Sequence, residues 1–135
     1  MREMRKSGRV FTRCQVVTKV LRPKDAALRY GSPRYGHTSD FSLDGMRLVL
    51  GADLPLGATV ELVVVMLNPP ATFQHFGQVR WCKCSTDGQK CFVGIEFNAT
   101  SPAVMQAWRK LLAERFPATV AKMTNEFAKD DHSLW

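Results

Sequence analysis

Arg5 and Arg9 stand four residues apart near the N-terminus, with Lys6 between them and Gly8 to let the chain bend. An arginine presents a planar fork that fits phosphate bidentately, reads O6 and N7 of guanine and stacks on a purine face. Two such forks on a short arm suit a ligand that carries both phosphates and purines. Acceptors come later, in Asp40-Phe41-Ser42-Leu43-Asp44-Gly45, which lies between two apolar runs. Asp40 can accept from the N1–H and amino group of a guanine. Ser42 can bond a phosphate or a base edge, and Gly45 lets backbone approach a ligand. In an extended segment Asp40 and Ser42 point to the same side. Taken singly, the basic start reads as a solvated end and the hexapeptide as an Asx turn. Their joint occurrence supports binding.

Other chemistry finds little support. His37, His75 and His132 are far apart in sequence, and the chain has no nucleophile elbow, phosphate-binding Gly-x-x-x-x-Gly-Lys, dinucleotide fingerprint or His-Glu-x-x-His. No enzyme activity is expected. Cys14, Cys82, Cys84 and Cys91 do not have a standard zinc spacing. Cys82 and Cys84 would share one strand face, with Cys91 facing them across a hairpin. The four are read as buried reduced thiols, with a metal or redox site as the alternative. No metal or other cofactor is expected.

The charge points the same way as the arginines. Of the net +7, residues 1–36 hold seven Arg and three Lys against Glu3 and Asp25, a net +8; the other 99 residues are close to neutral. A positive field confined to one quarter of the chain suits an anionic partner. With 135 residues the chain can fold as one domain with a substantial core. No apolar run approaches the roughly 18–20 residues of a membrane span. Polar residues follow the basic N-terminus, unlike in a signal peptide. A soluble cytoplasmic protein is expected.

The elements that must position these residues are mostly strands. Alternation predicts strands at 10–21, from about Gly36 to the hexapeptide, at 46–50, 58–67, 72–84 and 91–97. Gly77 is a candidate bulge or close-approach point, and Ser85-Thr86-Asp87-Gly88 is a hairpin turn. The period then changes. Ser101 is a candidate N-cap and Pro102 a first helical residue, and Val104, Trp108, Leu111, Leu112 and Arg115 follow helical spacing up to Phe116-Pro117. A weaker helical pattern follows at Val120, Met123 and Phe127. The expected fold is a six-stranded antiparallel β-barrel, all-β with a C-terminal helix, capped by one or two helices. The expected organisation is a mobile basic arm at 1–9, the barrel and helix at 10–116, and a helical extension and tail at 117–135.

The motifs together resemble the PilZ domain family over about residues 4–116. Arg5-Lys6-Ser7-Gly8-Arg9 fits R-x-x-x-R, and Asp40 to Gly45 fits D/N-x-S-x-x-G. Gly77-Gln78-Val79-Arg80-Trp81 and Phe92-Val93-Gly94-Ile95-Glu96-Phe97 resemble the family's closing hairpin. The resemblance implies a split barrel that binds the bacterial second messenger cyclic di-GMP, with an arginine arm wrapping the nucleotide against the barrel. Carried over, Arg5 and Arg9 form the clamp, and Asp40, Ser42 and Gly45 the barrel-side contacts. Met4, Lys6 and Trp81 are further candidates, Trp81 as an apolar neighbour of a guanine or an ordinary core residue. Met4 stands where many members have the first of two arginines.

On this reading, binding orders the arm and changes the surface offered to an unnamed downstream protein. With no output domain fused, the effect passes in trans or through self-association. One rival is a nucleic-acid-binding small barrel, although its aromatics and basic residues would be interleaved on exposed strands. Another is a PilZ-like adaptor that binds only protein. The sequence leaves the oligomeric state open.

Overall fold

The computed structural model describes residues 9–21, 33–67 and 69–117. Six strands form one closed antiparallel barrel: β1 (Gln15–Val20), β2 (Arg34–Phe41), β3 (Gly45–Leu50), β4 (Thr59–Met66), β5 (Ala71–Cys84) and β6 (Cys91–Phe97). Their order around the barrel is β1-β2-β3-β6-β5-β4, and β1 pairs with β4 to close it. After them, among the described residues, comes the helix α1 (Pro102–Arg115). The expected six-stranded barrel with a C-terminal helix is therefore found. The expected arm, apart from Arg9, and the weaker helical pattern at Val120, Met123 and Phe127 lie outside the described residues.

Strand alternation makes the core. Val16, Thr18 and Val20 of β1 face Val64, Leu62 and Val60 of β4, all buried inside the barrel. Met46, Leu48 and Leu50 of β3 meet Ile95, Val93 and Cys91 of β6 across their ladder. Fully burying one such aliphatic side chain contributes about 1.5–3 kcal/mol. The first strand is shorter than alternation predicts. Residues 11–14 leave the ladder, and Val10 makes an isolated bridge to Phe41.

Helix α1 starts as its sequence requires. The Ser101 side chain accepts from the Val104 N–H, and Pro102 opens the first turn, where its missing N–H is not needed. The apolar stripe covers one end of the barrel through Trp108 and Leu112, both fully buried. The Trp108 ring packs against Phe41, Phe73, His75 and Phe97. Its Nε1–H donates to the Ser42 carbonyl at 3.0 Å. Arg115 ends the helix by donating to the carbonyls of Leu67 and Pro69. The helix thus grips both the β2–β3 turn and the β4–β5 turn. Replacing Trp108 with Ala would cost about 3–5 kcal/mol.

Two readings of the hairpin change. The bulge in β5 falls at Arg80, between Val79 and Trp81, and not at Gly77. Gly77 is a close-approach point: a Cβ there would lie 2.5 Å from the Glu96 carbonyl oxygen. The cysteines are not all reduced thiols. Cys84 and Cys91 are bonded to each other, with Cys14 and Cys82 free. Cys84 and Cys91 face each other directly in the β5–β6 register, and the Ser85–Lys90 backbone bond closes the turn beyond them. Direct opposition brings the two Cβ atoms close enough to bridge. Cys84 is also exposed, so burial fails as an expectation for it.

Candidate functional site

Asp40 comes first, because a backbone irregularity aims it. Thr38 of β2 points into the barrel and opposes Leu48; Ser39 is an extra residue; Asp40 then opposes Arg47 on the outside. Without the bulge, strict alternation would turn Asp40 inward with Thr38. A second bulge acts in the same way on β5. Val79 points in, Arg80 is the extra residue, and Trp81 then lies opposite Gly94 on the outer face.

The registers join these residues into one row. Asp40 opposes Arg47 across β2–β3, Arg47 opposes Gly94 across β3–β6, and Gly94 opposes Trp81 across β6–β5. The row therefore runs Asp40, Arg47, Gly94, Trp81 around the outside of the barrel. Gly94 is required there. A Cβ on it would sit 2.4 Å from Cε2 and Nε1 of Trp81, so the indole lies across the glycine. Trp81 is half-buried, an outer-face residue, and among the described residues the core tryptophan is Trp108.

Arg9 closes the other side of Asp40. Its Nε donates to Asp40 Oδ1 in an ion pair, and Arg47 Nε stands 3.4 Å from the same oxygen. The Val10–Phe41 backbone pair anchors this segment beside β2. Arg9 and Asp40 are only 4% and 2% exposed, whereas the Arg47 side chain is 31% exposed. Asp40 Oδ2 accepts a long 3.4 Å bond from Ser39 Oγ. Arg9 thus belongs to the barrel surface in this structure, at the end of the stretch read as an arm.

The turn after Asp40 is held from within. The Ser42 N–H donates to the Gly45 carbonyl at 2.9 Å, and Ser42 Oγ accepts from the Asp44 N–H at 3.3 Å. Ser42 is fully buried, so its hydroxyl shapes the turn in this structure. Gly45 begins β3, buried opposite Glu96. Burial raises the Asp44 carboxyl above its ordinary range; Arg109 opposes that shift and Glu96 adds to it. Arg80 pairs with Glu96 at 2.5 Å beside the row, as an exposed surface pair of small energetic weight.

The structure therefore brings together Arg9, Asp40 and Trp81 among the expected residues, with Ser42 and Gly45 forming the turn that follows. Met4, Arg5 and Lys6 lie outside the described residues. Arg47 was missed by sequence reasoning. Its only signal is a charge at an outward position of an otherwise apolar strand. Among the described residues no group of His, Cys, Asp and Glu is arranged to hold a metal ion. No described helix is long and apolar enough to cross a membrane.

A groove of about 900 Å³ lies elsewhere, lined by Arg13, Gln15, His37, Val65, Arg115 and Phe116 among others. It includes none of Asp40, Arg47, Gly94 and Trp81. The row lies outside that groove, on the outer face of the barrel.

The family model for the PilZ domain matches residues 3–114 of this chain. The PilZ domain with c-di-GMP of YcgR from Escherichia coli is similar in structure, with a TM-score of 0.56 at 17% identity, over 90% of this chain and 95% of that one. The Bacillus subtilis inhibitor of motility MotI/DgrA has a TM-score of 0.55 at 16% identity, over 79% of this chain. The match covers 51% of MotI/DgrA, so this chain spans about half its length. At these identities the likenesses speak to the fold. No curated protein matches the chain.

Proposed function

Because the chain belongs to the PilZ domain family, we propose that it is a cytoplasmic receptor for cyclic di-GMP that passes its bound state to a partner protein. The observation that carries this reading is the outer-face row. It puts a carboxylate, an arginine fork and an indole lying over a glycine within three strand spacings. Each group suits a guanine. The indole offers a stacking face, worth about 1–3 kcal/mol per base. Asp40 accepts from N1–H and the amino group. Arg9 lies beside it to meet a phosphate or the second purine. Arg5 is assigned to the same clamp by its spacing from Arg9 alone.

Asp40 is buried beneath Arg9, so the ligand must part that pair to reach it. Binding then exchanges the Arg9–Asp40 pair for contacts of both residues to nucleotide. Arg9 lies next to Val10, whose backbone is bonded to Phe41, so this exchange is felt at the N-terminal segment. A change there is the signal a partner would read. The solved YcgR PilZ domain contains c-di-GMP, which supports the ligand class.

The test is calorimetric titration with cyclic di-GMP, with GTP and the linear dinucleotide as controls. Saturable binding of the cyclic dinucleotide alone is expected. Absence of binding, with salt-dependent binding of oligonucleotides instead, would favour a nucleic-acid-binding barrel.

A further inference from the structure

Building on that reading, we propose that Arg47 selects guanine over adenine at this site. Three observations place it there. Its Nε is buried 3.4 Å from Asp40 Oδ1, an ion-pair contact without a hydrogen bond that keeps the guanidinium beside β2, while the side chain as a whole keeps 31% of its exposure. It extends from the middle of β3, a rigid strand paired on both sides. Its neighbour on β6 is Gly94, which has no side chain, and the next position is covered by the Trp81 indole. A purine stacked on that indole presents an edge to Arg47.

The chemistry of that edge decides the preference. Guanine offers O6 and N7, two acceptors that a guanidinium fork meets bidentately. Adenine offers N7 and an amino donor, which faces the fork with like polarity. Asp40 lies on the far side of Arg47 as its ion-pair partner.

Arg47 has a plainer role open to it: adding positive charge beside Asp40. A lysine at the same position would retain that role and lose the fork. The experiment measures binding of cyclic di-GMP and cyclic di-AMP to the full chain and to the Arg47→Ala and Arg47→Lys variants, with Lys19→Ala, at an exposed position of β1, as a charge-matched control. Thermal unfolding of each variant checks that it is folded. Both Arg47 variants should lose roughly tenfold or more in affinity for cyclic di-GMP, and the preference over cyclic di-AMP should shrink by a similar factor. The control should keep both. Wild-type affinity in Arg47→Ala overturns the proposal, as does wild-type affinity and preference in Arg47→Lys. Equal losses for both dinucleotides overturn it too. An unsubstituted chain that binds neither dinucleotide overturns the receptor reading and the Arg47 role together.

Discussion

One oxygen of Asp40 is shared by two arginines from different parts of the chain: Arg9 Nε and Arg47 Nε both approach Oδ1. The carboxylate is nearly inaccessible, so its charge is stabilised by these groups and little by water. The sharing makes losses on the two sides unequal. Asp40→Ala takes the common partner from two guanidinium groups, whereas Arg9→Met leaves Asp40 with Arg47. Urea unfolding should show Asp40→Ala destabilised by about 3 kcal/mol and Arg9→Met by less. The reverse order would contradict the shared-carboxylate account.

Gly94 tests whether the position of Trp81 matters. Gly94→Ala puts a Cβ 2.4 Å from the indole, so the ring must swing off the barrel. Its fluorescence should move toward the red as it becomes more exposed, and cyclic di-GMP affinity should fall about tenfold through lost stacking. Unchanged emission and affinity would mean that the indole does not form the binding surface.

His75 should make stability sensitive to acid. It is fully buried, stacks on Phe97 with ring centroids 3.9 Å apart, and lies 3.2 Å from Thr100 Oγ1. Burial lowers its pKa from 6.5 to about 4. Below pH 6.5 the unfolded chain takes up a proton that the folded chain refuses until about pH 4. Stability should therefore fall across that window, by roughly 3 kcal/mol in total. Urea midpoints measured against pH should be less acid-sensitive for His75→Phe over the same window. Equal sensitivity would contradict the assignment.

The disulfide gives a count. Of four cysteines, two are bonded, so the oxidised chain should show two thiols when unfolded and four after reduction. The bridge closes a separation of only seven residues, across a hairpin that Ser85 and Lys90 already tie. Reduction should cost no more than about 2.5 kcal/mol and leave the barrel folded. Four reactive thiols before reduction would contradict the pairing.

Much of this architecture was legible from residue pattern. The period of two made the barrel readable, and Ser101-Pro102 with the Trp108 stripe made the helix readable, because burial on one face leaves a local trace. Asp40 was legible because turn residues follow it. The row was not legible, because it depends on two bulges. Neither Ser39 nor Arg80 carries the glycine or proline that usually marks such a point, and Gly77 drew the bulge to itself. A one-residue slip reverses every later side chain, so Trp81 could be assigned neither inside nor outside. Arg47 and Gly94 acquire meaning only once the β3–β6 register is known. Charge clustering marked the N-terminal arginines, but charge alone does not say which carboxylate one of them will meet. For the cysteines, spacing showed that Cys91 faces the other strand, while the usual state of buried thiols argued against a bond.

The central claim is that the dinucleotide lies on the row from Asp40 to Trp81. The most direct measurement is the amide and indole NMR spectrum of the full chain, titrated with cyclic di-GMP. The account predicts the largest shifts at Asp40, Arg47, Gly94 and Trp81, including the Trp81 indole N–H, with Val63 and Val65 on β4 little changed. Shifts confined to the groove lined by Arg13, His37 and Arg115, with the row unmoved at saturation, would contradict it.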